Sequence, residues 1–285
     1  MRVLVLGGGG MAGHMISLYF KERGYDVTAL TIRPFPLCHN ILVDVLDTKN
    51  LEMLIHKGNY DVIINCVGIL NQFAEENPYL SECLNSKLPH FIVEVIRNIP
   101  CRLIHMSTDC VFAGNSGPYR ENSIKDGMSI YDRTKAAGEI NDGKNLTFRN
   151  SIIGPDMKEN GIGLFNWFMK QTGDVNGYTR AIWTGVTTLT LAKAMEQAIK
   201  QNLTGVYNLV NNESISKYDL LLLFNKHCKK NKVQILPSEK VCLDKSLICT
   251  RTDFNFCIPS YEQMIIEMKE WIDNHQYVYP NYYYL

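Results

Sequence analysis

The chain lacks most of the features that announce a specialised protein. No stretch reaches about 18 uninterrupted apolar residues, the length a membrane-crossing helix needs. The opening apolar run, Met1–Leu6, is too short for a signal peptide. Net charge is absent too: 29 basic side chains cancel 29 acidic ones, so nothing marks a nucleic-acid or anionic-membrane surface. Nine cysteines include no CxxC pair, and seven histidines include no HExxH spacing. This argues against a disulfide framework or a protein-built transition-metal site, so no metal is expected. Scattered thiols in odd number fit a reducing cytoplasm instead. The sequons at Asn145, Asn202 and Asn212 then read as chance matches. No internal repeat or low-complexity linker is visible.

What is present is an ordinary globular composition, 46% hydrophobic and 20% charged over 285 residues, enough for one large or two modest domains. The first half alternates short apolar runs with helical periodicity. Strands are expected at 2–6, 26–32, 41–43, 61–65, 102–106 and 145–149, and helices at 11–23, 48–57, 79–98 and around Tyr131. Such a β-α-β-α series predicts an α/β fold with a Rossmann-type, doubly wound parallel sheet over residues 1–150. Past residue 150 the pattern weakens. Helices are expected at 164–170, 188–201, 216–229 and 260–274, and a strand at 205–210. Residues 151–285 read mainly as a smaller substrate-binding domain, with some segments returning to the sheet. The tail from Tyr277 to Leu285 is unusually aromatic and is expected to pack on the body.

Chemistry first shows in the glycines. Gly7, Gly10 and Gly13 form a G-x-x-G-x-x-G frame between the first strand and the first helix. A tight turn there needs positive backbone angles, and a pyrophosphate must approach the main chain closely. Met11, Ala12 and Gly13 open the helix and offer free N–H groups to phosphate. Thr31-Ile32-Arg33, at the end of the second strand, carries no acid for a ribose hydroxyl. Arg33 suits a 2′-phosphate, so NADPH is the expected cofactor, with NADH the alternative. Asp44 and Val45 are placed to flank the adenine, and Cys66, Val67 and Gly68 to line the cleft.

Tyr131 and Lys135 lie four residues apart, on one face of a helix. An ammonium beside a phenol favours the phenolate, which suits a proton donor in carbonyl reduction. Ser107-Thr108-Asp109 ends the fifth strand, where ligands of such sheets gather.

In this order the glycine frame, Ser107-Thr108-Asp109-Cys110-Val111-Phe112, Pro118-Tyr119-Arg120-Glu121, Tyr131-x-x-x-Lys135-x-x-Gly138-Glu139 and Arg149-Asn150-Ser151 resemble the extended short-chain dehydrogenase/reductases, in particular the dTDP-4-dehydrorhamnose reductase branch. The resemblance covers most of residues 1–155 and is faint beyond, around Trp183 and Arg251. It implies a Thr108/Tyr131/Lys135 catalytic centre, with Tyr131 as proton donor, Lys135 on the nicotinamide ribose and Thr108 orienting the carbonyl. It implies a nucleotide-linked 4-keto-6-deoxy-L-sugar substrate serving surface polysaccharide synthesis, with Asp109, Cys110, Val111, Trp183 and Arg251 toward the sugar. A homodimer is compatible with the family. The chain departs from the family pattern at Asp132, Thr134, Cys110 and Ile153. The last two, near the expected sugar pocket, keep a UDP-linked N-acetylated 4-keto-L-sugar open as substrate, and because some relatives keep the cofactor fold as regulatory subunits, that non-catalytic reading stays open as well.

Overall fold

The structure, a computed structural model, describes residues 1–282. In chain order the elements of the first half are β1 (Arg2–Leu6), α1 (Met11–Glu22), β2 (Asp26–Thr31), β3 (His39–Leu42), α2 (Thr48–Gly58), β4 (Val62–Asn65), α3 (Asn71–Glu76), α4 (Pro78–Ser81), α5 (Leu88–Val95), β5 (Arg102–Ser107), α6 (Ile130–Ala137) and β6 (Leu146–Arg149). The second half adds β7 (Ile152–Ile153), α7 (Leu164–Met169), β8 (Val175–Trp183), β9 (Val186–Thr187), α8 (Thr188–Lys200), β10 (Gly205–Asn208), β11 (Ile215–Ser216), α9 (Lys217–Cys228), β12 (Ile235–Asp244) and α10 (Tyr261–Asn274).

Seven strands form one parallel sheet in the order β10-β6-β5-β4-β1-β2-β3. Strand order reverses beside β1, which opens a crevice at the carboxyl ends of β1 and β4. Side chains alternate across the sheet as a period of two requires. Val3, Val5, Ala29, Ile64, Ile104 and Phe148 join one core, shared with α1 and α8. Leu4, Leu6, Leu30, Ile63 and Leu103 join the other, shared with α2 and α5. Burial on both faces explains why these strands read as nearly continuous apolar runs.

The C-terminal half is divided between the two layers. β10 completes the large sheet beside β6, and α8 packs on α1. The smaller lobe is built on the sheet β11-β8-β12, backed by α9, and β7-β9 form a separate pair packed on α8 and α10. Neither β8 nor β12 is expected from the sequence. The expected helix over 79–98 is also interrupted: residues Glu82–Lys87 form a π-helical turn between α4 and α5.

The aromatic tail packs in part on the body. The Tyr279 hydroxyl lies 2.9 Å from His14 Nε2 in α1, and the Tyr282 hydroxyl accepts the Asp156 N–H at 3.1 Å. Residues Tyr283, Tyr284 and Leu285 lie outside the described residues.

Candidate active site

The glycine frame forms the turn between β1 and α1, and sterics explain its composition. Gly7 has φ +75°, a region that side chains disfavour, and a Cβ on Gly13 would sit 2.2 Å from the Gly7 carbonyl oxygen. Gly9, by contrast, has nothing within 4 Å and faces open space. Gly10 occupies the N-cap without a side chain, so the N–H groups of Met11, Ala12 and Gly13 have no intrahelical acceptor. A cradle of bare backbone at a helix N-terminus fits a dinucleotide phosphate. Gly13→Ala is therefore expected to lower the melting temperature and weaken NADPH binding at least tenfold, because the clash is with backbone that cannot swing away. Gly9→Ala should leave the melting temperature unchanged. Thermal scans and cofactor titration of both variants check this, and equal behaviour would contradict it.

The other expected cofactor residues line up along the same carboxyl edge. Arg33 is exposed just past β2, its carbonyl accepting the Thr31 hydroxyl at 2.6 Å. Asp44 is exposed and accepts the Leu46 N–H at 3.0 Å, whereas Val45 is buried in the core shared with α2 and α5. Cys66 continues β4, donating its N–H to Leu6 at 3.0 Å, and Val67 N–H is held by the Asn65 side chain at 3.0 Å. A Cβ on Gly68 would meet Asn85 Oδ1 at 3.1 Å.

Asn85 has no place in the motif reading, yet it ties the cleft together. Its side chain accepts from Ile69 N–H at 2.9 Å and donates to Ile69 O at 3.0 Å and Thr134 Oγ1 at 3.1 Å. It sits in the π-helical turn, four residues before Pro89. Proline has no N–H to give the Asn85 carbonyl, and Gly138 crosses that carbonyl so closely that a Cβ would lie 1.9 Å away. Pro89 within a helical pattern, four residues after an asparagine, is the signal that would have found it.

Thr108 follows β5 and caps a short turn, Asp109–Val111: its hydroxyl accepts the Cys110 N–H at 3.1 Å and donates to Asp109 Oδ1 at 3.0 Å. Across from it stands α6, started by a reciprocal capping box between Ser129 and Asp132. That box accounts for Asp132, one of the departures from the family pattern. Thr134, another, turns its hydroxyl back to Ile130 O at 2.7 Å.

Thr108, Tyr131 and Lys135 are all buried where the Asp109–Val111 turn packs against α6. In this structure burial is the largest influence on the phenol. Burial pushes the Tyr131 phenol up, Cys110, Asp109 and Asp132 push it further, and Thr108 draws it down. The Lys135 ammonium instead donates to Met106 O at 2.6 Å, and burial brings it down to about 8 against the charges of Glu139 and Cys66.

On the substrate side the placements diverge. Asp109 is buried and pushed up by that burial, with Lys217 and Lys245 opposing the shift. Cys110 beside it is pushed up to about 12 by burial and by Asp109. Trp183 is buried against Tyr261, with the Lys217 ammonium 4.8 Å from its ring centre. Val111 joins a separate small core with Phe112, Tyr119, Val210 and Leu247. Arg251 stands apart from this group: it pairs with Asp253 and donates to Thr204 O at 2.7 Å and Val206 O at 2.9 Å, along β10. It helps line a cavity of about 430 Å³ with Glu121, Lys125, Glu139 and Arg149, and none of Thr108, Tyr131 or Lys135 lines that cavity. Lys217 escapes the motif reading because it stands alone in sequence, and only the fold brings it to Trp183.

A doubly wound parallel sheet with a glycine-rich first turn defines a Rossmann-type α/β protein. The chain belongs, more narrowly, to the family described as the RmlD substrate binding domain, whose model matches residues 1–243. Among curated relatives, dTDP-4-dehydrorhamnose reductase of Mycobacterium tuberculosis is 31% identical over 144 residues, covering 48% of this chain and 44% of its own. Methionine adenosyltransferase 2 subunit beta of Xenopus laevis is 32% identical over 142 residues, covering 48% of this chain and 41% of its own. The matched region thus spans less than half the length of either relative. Among solved structures, dTDP-4-dehydrorhamnose reductase of Bacillus anthracis, in complex with NADP, superposes with a TM-score of 0.80 at 20% identity, covering 95% of this chain and 99% of that one. At that identity the likeness is one of fold.

Proposed function

We propose that this protein is an NADPH-dependent reductase of the 4-keto group of a nucleotide-linked sugar, a 6-deoxy-L-sugar being the first candidate. The observation that supports this reading is the burial of Thr108, Tyr131 and Lys135 at the carboxyl end of β5 and on α6, in a sheet whose first turn is the glycine cradle. NADPH, when bound, supplies the hydride. The chain's own part is to hold the sugar carbonyl and deliver a proton. Thr108, its hydroxyl already oriented by Asp109 and the Cys110 N–H, steers the carbonyl oxygen. Tyr131, kept protonated by burial, gives that oxygen its proton. Lys135, an ammonium below about pH 8, supplies positive charge in the same buried pocket. The free cysteines suit a reducing cytoplasm.

Arg33 is assigned to the cofactor's 2′-phosphate. Arg33→Ala is expected to weaken NADPH about tenfold and NADH little, as measured by paired titrations; equal effects would remove Arg33 from that role.

A second reading rests on the 32% identity to a methionine adenosyltransferase subunit over 142 residues: a cofactor-binding regulatory subunit. Turnover of NADPH that requires a keto-sugar nucleotide favours the enzyme. Tight NADPH binding without turnover on any such sugar favours the subunit.

A further inference from the structure

α1 starts at the glycine cradle, and its fourth residue, His14, turns its side chain back onto that cradle. The ring is fully buried, with Nδ1 3.0 Å from the Gly10 carbonyl oxygen and Nε2 2.9 Å from the Tyr279 hydroxyl. A carbonyl oxygen only accepts, so Nδ1 carries the proton. Burial holds the imidazole below its ordinary value and so uncharged, which leaves Nε2 to accept the Tyr279 O–H. Tyr279 is wholly buried as well, and it belongs to the aromatic tail, 265 residues further along the chain.

The same Gly10 oxygen accepts the His14 N–H at 3.0 Å, the first bond of the helix. Gly10 C=O and Met11 N–H belong to one planar trans peptide and point in opposite directions. Whatever fixes that carbonyl therefore aims the Met11 N–H out of the helix end, where a dinucleotide phosphate fits. Gly10 brings no capping side chain, so beyond the helical bond it is the imidazole that restrains this plane. A second donor on the carbonyl also polarises the peptide and strengthens its N–H.

We propose that His14 and Tyr279 are positioning residues for the cofactor: through phenol and imidazole, the C-terminal tail sets the Gly10–Met11 peptide for the pyrophosphate. The inference rests on the cofactor reading and adds to it two residues from outside the glycine motif.

The test is titration of NADPH and NADH, with thermal scans, for the wild type and for Tyr279→Phe, His14→Leu, His14→Asn and Tyr19→Phe. Tyr279→Phe is expected to weaken both dinucleotides alike, by about three- to tenfold, because the pyrophosphate is common to them. In turnover the change should fall on the cofactor KM and leave kcat level. His14→Leu should weaken both by about tenfold or more. His14→Asn, whose amide nitrogen stands near the Nδ1 position and can donate to the same carbonyl, should recover most of that loss. Tyr19→Phe is the comparison on the same helix: it removes a phenol hydroxyl that donates to Glu196 at 2.8 Å, and it should lower the melting temperature without moving affinity. A tail bond serving only the fold would make Tyr279→Phe behave like Tyr19→Phe, and that result would overturn the proposal while leaving the cofactor reading in place. Tyr279→Phe decides alone if His14→Leu fails to fold. A loss confined to NADPH would also overturn it, by placing the effect at the 2′-phosphate. A wild type that binds neither dinucleotide would overturn the cofactor reading as well.

Discussion

Tyr131→Phe is expected to lower kcat on a keto-sugar nucleotide by about a hundred- to ten-thousand-fold, with NADPH affinity nearly unchanged. The substitution removes one oxygen from a buried ring and leaves the ring's packing in place. The phosphate contacts proposed for the cofactor lie elsewhere, on the glycine turn and at Arg33, so the dissociation constant should hardly move. The direction of the phenol's shift fits this role. Burial keeps Tyr131 protonated near neutral pH, so the proton is available when the carbonyl oxygen gains charge. The Thr108 hydroxyl, which draws the phenol down, eases its release. Initial rates together with a fluorescence titration of NADPH check both halves. Retained turnover in the variant would remove Tyr131 from catalysis. Lost NADPH binding would mean that the substitution had damaged the fold.

Arg149→Met is expected to cost about 3–5 kcal/mol of folding stability, the usual result of stripping one partner from a buried ion pair. Arg149 and Glu139 are almost wholly buried, and two guanidinium nitrogens donate to the two carboxylate oxygens at 2.8 Å each. The pair also anchors the reaction centre. Glu139 accepts the Ser107 hydroxyl at 2.7 Å at the end of β5, while Arg149 reaches Asn208 Oδ1 at 3.4 Å on β10. Burial alone would raise the Glu139 carboxyl, but Arg149, Ser107 and Lys125 together hold it below its ordinary 4.5. A carboxyl with a depressed folded pKa adds stability above its unfolded pKa and loses it as pH falls through the folded value. Wild type should therefore lose stability on acidification below about 4.5, and Arg149→Met should lose less. Urea unfolding at neutral and acid pH measures both. Replacing both partners, Arg149→Met with Glu139→Leu, should recover much of the loss. A single variant as stable as the wild type would show that the pair contributes nothing net.

The large sheet was legible because its strands are buried on both faces, so short apolar runs stand out between amphipathic helices. The glycine turn was legible because only glycine satisfies its backbone. β8 and β12 were not, since they form a small, half-exposed sheet. β12 carries Pro237, Glu239 and Lys240 and pairs with an irregularity between Ser238 and Cys242, so neither apolar alternation nor a clean run survives. The helix over 79–98 read as one because hydrophobic periodicity is blind to the π-helical turn that Pro89 brings with it. In the site, Tyr131 and Lys135 could be paired from spacing alone, because both lie on one helix. Their electrostatics could not, because burial and the Met106 carbonyl decide them. The Lys217 ammonium comes to lie over the Trp183 ring only through packing within the smaller lobe, and no local pattern records that contact.

The most direct test is NADPH oxidation by the purified protein with dTDP-4-keto-L-rhamnose, generated in situ, and with a UDP-linked 4-keto-6-deoxy-L-N-acetylhexosamine. Sugar-dependent oxidation with either one, abolished in Tyr131→Phe, is the expected result. No oxidation with any keto-sugar nucleotide, from a protein that binds NADPH, would contradict the reductase assignment.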